Sequence, residues 1–378
     1  MKPPFSLQIS LVFCVWLLAF AASALAWPGP VYISDERIDA LKSRIANKVE
    51  PNYTAWLGVL AAADAAMNSQ PVVPETLATF SPYKDPEKHK AAAASTTFGK
   101  DGPSAYRLAL AYRMTGDEKY AVAAARLLNA WSTGLKSIDA KNQNTSLTAC
   151  GGIPTYIIAA DLLKKSPSFP AADQERFKEF VRNVVVGSQS IELCMKRKNN
   201  WANFGTLLAI TAGTYLGDKA LFDRGVGRWK ALIESQMTSD GTLHEEVSRP
   251  GGGSQAKVPG AMGMWYSNFT LMPATFAAEA ARVNGVDLYN YTTPSQKNLR
   301  LSYEKMIPWI KNPASFPYYK GPDDPAKLTG VRLIPYFEML VPRWPEADAK
   351  ALLTASRPVR NNHAIPDATF THGDLVKE

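Results

Sequence analysis

The chain has 378 residues, 46% of them hydrophobic and 20% charged, and a formal net charge of +8. That length supports one large domain or two modest ones, and the positive balance favours a polyanionic partner while leaving its chemistry open. With only three cysteines and no Cys-x-x-Cys spacing, a zinc cluster of the usual kind is excluded.

The N-terminus carries Lys2, an apolar run from Leu11 to Ala22, and Ala24-Leu25-Ala26 ahead of Trp27. This is the pattern of a secretory signal peptide over residues 1–26, too short in its apolar part to span a bilayer. No later segment is apolar for long enough to do so, so a secreted, extracellular chain without membrane contact is expected. Cleavage would remove Lys2 and Cys14, leaving a charge of about +7 and two thiols, Cys150 and Cys194. In an oxidising compartment these either pair or stay as buried free thiols. Four sequons, beginning at Asn52, Asn144, Asn268 and Asn290, fit the same route.

Helical periodicity covers Asp35 to Ala46 and Tyr53 to Met67, then Pro103 to Trp131 as two helices folded back through Thr115-Gly116-Asp117. It resumes over Thr155 to Lys164, Asp173 to Val186, and Leu207 to Ile233, where Gly217-Asp218 makes the same kind of break. Phe269 to Val283, followed by Asn284-Gly285-Val286-Asp287, and Leu299 to Lys311 complete the series. Alternating patterns are scarce, so the fold class is all-α. Paired antiparallel helices at this length predict an incomplete (α/α) toroid over 27–355, with a cleft built by loops at one end, in preference to an irregular bundle. Proline and glycine gather at Ser81 to Asp85, Cys150 to Pro154, Arg249 to Gly263 and Phe316 to Pro325, which read as inter-helix loops. Residues 356–378 read as a polar C-terminal extension.

Two turn-rich segments concentrate polar, aromatic and titratable groups. One is Lys196-Arg197-Lys198-Asn199-Asn200-Trp201-Ala202-Asn203-Phe204; the other runs from Asp240-Gly241-Thr242-Leu243-His244-Glu245-Glu246 through Arg249 to Trp265-Tyr266-Ser267-Asn268. At these residues the chain resembles the alginate lyase superfamily, the helical-toroid lyases of polysaccharide lyase families five and thirty-eight. The resemblance runs from Ile38 to about Tyr291. It includes Ser104 to Tyr112 with Thr115-Gly116-Asp117, Gly151-Gly152-Ile153-Pro154 with Ala160-Asp161-Leu162-Leu163, Asn199-Asn200-Trp201 and Asp240-Gly241-Thr242-Leu243. In family five a catalytic histidine follows the Asn-Asn pair; here Trp201 occupies that position, a form closer to family thirty-eight. His244 is then the natural replacement for the missing imidazole. The resemblance implies a lyase that cleaves a polyuronate, such as alginate, polymannuronate or glucuronan, by β-elimination without a metal or other cofactor.

That chemistry asks for particular side chains. Elimination removes the C5 proton beside a carboxylate and expels the O4 group, so donors must neutralise the carboxylate while negative charge develops. Asn200, Arg249 and His244 are donors of the required kind. Tyr266 fits the base and acid at C5 and O4, with His244 as the other base candidate. Lys198, Trp201, Asn203 and Trp265 are the expected substrate contacts, and Glu245 with Glu246 reads as an exposed acidic pair. The expected partner is an acidic polysaccharide rather than nucleic acid, met by a monomer. Two rival readings are a glycoside hydrolase using Asp240, Glu245 and Glu246, and a non-catalytic acidic-glycan binder.

Overall fold

A computed structural model of the chain describes residues 27–81, 87–88, 93–250, 258–359, 361 and 363–374. The expected signal peptide and the Gly251-Gly252-Gly253 run lie outside them. The helices are α1 (Asp35–Ala46), α2 (Asn52–Ala66), α3 (Ala93–Thr115), α4 (Glu118–Gly134), α5 (Gln143–Leu162), α6 (Ala171–Phe180), α7 (Ser190–Met195), α8 (Asn200–Leu216), α9 (Lys219–Gln236), α10 (Gly263–Arg282), α11 (Leu299–Lys311), α12 (Phe337–Leu340), α13 (Ala347–Ser356) and α14 (Ala368–His372). Two-residue strands β1 (Thr76–Leu77) and β2 (Ser137–Ile138) pair in parallel. No helix among the described residues is long and apolar enough to cross a membrane.

Short polar residues start these helices. Ser34, Asp117, Asn142, Asn199, Asp218 and Asn298 each accept a backbone N–H from the first turn that follows. The Gly-Asp breaks work in two steps. Gly116 and Gly217 adopt φ of +74° and +66°, ending one helix, and the following aspartate caps the next. This makes the hairpins α3–α4 and α8–α9, as the spacing predicts.

Helices α2, α3, α5, α8 and α10 pack in sequence as an inner layer, with α1, α4, α6, α7, α9 and α11 outside them. The chain is therefore an all-α toroid of paired helices. Its circuit closes through the two ends of the described chain. Tyr32 packs on Phe276 of α10 and on His372 of α14, with ring centroids 6.3 and 5.3 Å apart. Across the same seam, α14 lies on α2, where Phe370 meets Trp56 at 5.2 Å.

Three expectations need correction. The Cys150 to Pro154 stretch is not a loop but lies inside α5, where glycine is required by close packing: a Cβ on Gly152 would sit 2.4 Å from the Phe98 ring of α3. The C-terminal stretch is not a loose extension, because Val359, Ile365 and residues 368–372 are buried. It is held by Asn52, whose Nδ2 donates to the Phe370 carbonyl at 2.8 Å, and by Glu338, which accepts from Thr369 at 2.6 Å and Arg357 at 2.7 Å. That use of Asn52 also removes it as a glycan acceptor. Asn268 is equally buried, bonded to Gly330 and Tyr336, whereas Asn290 is exposed. Cys150 and Cys194 are buried free thiols.

Candidate active site

The inner helices α3, α5, α8 and α10, mostly through their N-terminal halves, line a cleft of about 350 Å³. Phe98 and Gly99 of α3, Asn144 and Thr148 of α5, Phe204 of α8, Phe269 of α10 and His363 line it. The positive ends of several helix dipoles therefore face this side of the ring.

Two loops deliver the polar groups beside it. The 195–199 loop is strapped to α9: Arg228 donates to the carbonyls of Met195 (2.8 Å) and Arg197 (2.7 Å), and Gln236 to that of Lys198 (3.0 Å). The Asp240-Gly241 turn is clamped on α11. There Gly241, at φ +85°, lies so close to Leu301 that a Cβ would meet its carbonyl at 2.4 Å, and Ser302 donates to the Gly241 carbonyl at 2.7 Å. From this clamp the chain runs through Leu243 and Glu246 to Arg249, whose carbonyl accepts from Met262 at the start of α10.

At the centre lies Glu246, 1% exposed. Its Oε1 accepts from the Asn200 backbone N–H at 2.6 Å, Asn200 Nδ2 at 3.2 Å and Thr270 Oγ1 at 3.0 Å; its Oε2 accepts from Arg249 Nη1 at 3.3 Å. The Arg249 guanidinium stands 4.0 Å from the centre of the Tyr266 ring. Burial pushes the Glu246 carboxyl up to about 7, against the lowering effect of the Asn200 amide, Arg249 and Thr270. Asn200 itself is fully buried, and its Oδ1 has no partner among the described residues. Three of the four expected catalytic residues, Asn200, Arg249 and Tyr266, thus meet through Glu246, which the sequence reading had placed on the surface. That expectation is overturned: His244 is exposed and Glu245 half-buried, while Glu246 turns inward with Leu243 and Val247. The three-residue spacing of Leu243 and Glu246 and the apolar Val247 were the available signal.

His244 stands apart, with its Nε2 3.8 Å from Glu245 Oε1. Lys198 is exposed, and Trp201 is half-buried with the Arg197 guanidinium 5.4 Å from its ring. Asn203 corrects another expectation: it is buried, its Nδ2 donating to Gln236 Oε1 at 3.2 Å and the Thr270 carbonyl at 3.3 Å, so it ties three helices together rather than facing the cleft. Trp265 is half-buried under Gly330, with His363 at 5.5 Å and Phe269 at 5.7 Å. His363 had no signal, since it lies in the stretch read as a tail. Its ring lines the cleft edge-on to Phe269 at 5.0 Å, and burial pushes the imidazole below the usual histidine range. A neutral ring in a cleft with aromatic walls can donate and accept at neutral pH.

The all-α toroid is a fold that solved alginate lyases share. The profile of the alginate lyase family matches residues 60–316, and the chain is a member of that family and a polysaccharide lyase. Solved structures share the fold. An alginate lyase from Bacteroides ovatus superposes with a TM-score of 0.70 at 19% identity, covering 91% of this chain and 98% of that one. Alginate lyase A1-III from Sphingomonas species A1 gives 0.67 at 19%, covering 92% and 95%. A variant of alginate lyase A1-III complexed with a tetrasaccharide gives 0.68 at 20%, covering 89% and 93%. No curated protein sequence matches.

Proposed function

We propose that the chain is a secreted lyase that cuts a polyuronate, alginate or glucuronan, by β-elimination without a metal. The observation that carries this reading is the convergence of Asn200, Arg249 and Tyr266 around one buried carboxylate beside the cleft. Arg249 neutralises the substrate carboxylate, which makes the C5 proton easier to remove, while Asn200, fully buried with its Nδ2 on Glu246, holds the start of α8 in place. The guanidinium packs over the Tyr266 ring and holds it in place, and in this reading the tyrosine acts as its phenolate. That phenolate takes the C5 proton, the C5–H electrons form the C4=C5 double bond, the C4–O4 bond breaks, and the resulting phenol returns its proton to O4. Proton and electron pair balance, and the tyrosine ends as it began. Lys198 and Trp201 on the strapped loop, with Trp265 and the net positive charge, supply the surface for an anionic chain.

The test is the product. Polymannuronate, polyguluronate and glucuronan are each incubated with purified protein, in the presence of a chelator, and followed for new ultraviolet absorbance at the unsaturated end. Tyr266→Phe keeps the ring and deletes the proton carrier, so it should lose roughly a hundredfold or more in turnover. Full turnover in a Tyr266→Phe protein that melts like the parent, or saturated ends in the products, would overturn the reading.

A further inference from the structure

We infer that Glu246 is a positioning residue, which fixes the start of α8 at Asn200 and the Arg249 guanidinium from one buried point so that Arg249 faces the substrate carboxylate; this rests on the lyase reading above. Its two oxygens join three elements at one point: the first residue of α8, the turn carrying Arg249, and the second turn of α10 at Thr270, where Asn203 of α8 also bonds the backbone carbonyl. Arg249 in turn lies on Tyr266, so one carboxylate fixes that donor and, through it, the base. A tie needed only for folding would be served by a neutral amide, because burying an ionised carboxylate is costly unless its charge is compensated. Here compensation comes from a single guanidinium that is itself 31% exposed.

The charged and titratable groups around Glu246 are Arg249 and, beyond it, Tyr266 on α10, with His244 and Glu245 on its own turn; α8 and Thr270 offer only neutral donors. Protonation would place an O–H against these donors and release Arg249. Activity should therefore fall as pH falls through the Glu246 pKa, raised by burial to about 7.

The experiment compares parent, Glu246→Gln, Glu246→Asp and Tyr266→Phe on the preferred polyuronate, each with a melting curve. Glu246→Gln should lower kcat ten- to a hundredfold, the scale of a donor displaced by about 1 Å, with KM changed less than kcat and with the acid limb of the pH profile gone. Glu246→Asp keeps the charge on a shorter arm, so it should retain the limb and an intermediate kcat; if the Gln variant does not fold, the Asp variant decides by the same split. An unchanged kcat and pH profile in Glu246→Gln, alongside an inactive Tyr266→Phe, would overturn the inference and leave the lyase reading standing. A fully active Tyr266→Phe would instead remove the lyase mechanism itself.

Discussion

Two carboxylates, Glu246 and Glu279, are each 1% exposed, yet the fold treats them in opposite ways. Glu279, near the C-terminal end of α10, is surrounded by cations: Arg282 at 2.9 Å, Arg343 at 3.3 Å and Arg37 at 3.9 Å, with His372 at 3.4 Å and a hydrogen bond from Tyr289 at 2.9 Å. Burial alone would raise its carboxyl, but the contacts with His372 and Arg282 outweigh it and hold the group well below the usual carboxylate range. His372 is itself pushed down to about 4 by burial, so near neutral pH the guanidiniums carry the compensation. Glu246 has one partly exposed arginine and neutral donors, and burial wins. The difference separates a carboxylate that fastens the ring from one kept close to its titration point beside a cleft, where perturbed groups gather.

The largest expected break comes from the seam. Glu279→Ala strands three arginines in a buried site and should cost about 3–5 kcal/mol, read as a large fall in melting temperature with kcat nearly unchanged at low temperature. A small melting shift would mean that the cluster is not what fastens the ring.

The pH dependence of the two sites should differ in sign. Because the folded pKa of Glu246 lies near 7 against an ordinary 4.5, its contribution to stability is present below 4.5 and lost as pH rises through 7. Glu246→Gln should thus gain on the parent by about 2–3 kcal/mol between pH 4.5 and 8. Denaturant titrations at both pH values check this, and a constant difference between the two proteins would contradict it.

At the seam the sign reverses. His372 must stay neutral in the fold down to about 4 against an ordinary 6.5, so the parent loses stability as pH falls from 6.5 towards 4. Replacing His372 by Gln should flatten that loss by about 2 kcal/mol, and an unchanged acid slope would count against it. Smallest of all is Lys305→Ala, which breaks the solvent-facing pair with Asp240 at 2.6 Å; it should cost under about 1 kcal/mol, and a larger loss would show that the Asp240 turn depends on it.

Much of the fold was legible because it rests on local rules. Apolar periodicity and the Gly-Asp breaks placed α1, α2, the α3–α4 hairpin and the α8–α9 hairpin, since a left-handed glycine followed by a capping aspartate leaves few alternatives. The reading failed where distant contacts overrule local preference. Gly151, Gly152 and Pro154 read as a breaker, yet α5 runs through them because Phe98 needs the space that a side chain would take. The C-terminal stretch looks polar, but Asn361, Thr369, Thr371 and His372 bond inside the protein. The site divides along the same line. Asn200, Arg249 and Tyr266 stand in recognisable segments, whereas the inward turn of Glu246 and the placing of His363 in the cleft depend on elements far away in sequence.

The clasp between Asn52 and Phe370 joins residues 318 positions apart. During synthesis α2 can pack on α1 and α3 early, but the face that meets α14 must wait for nearly the whole domain to emerge, so the seam forms only at the end. A growing chain would leave Trp56 without its Phe370 partner until then. Contacts of such long sequence separation also slow folding. The final docking of residues 368–372 is accordingly the step at which a folding aid, or an aggregating neighbour, has the longest opportunity to act.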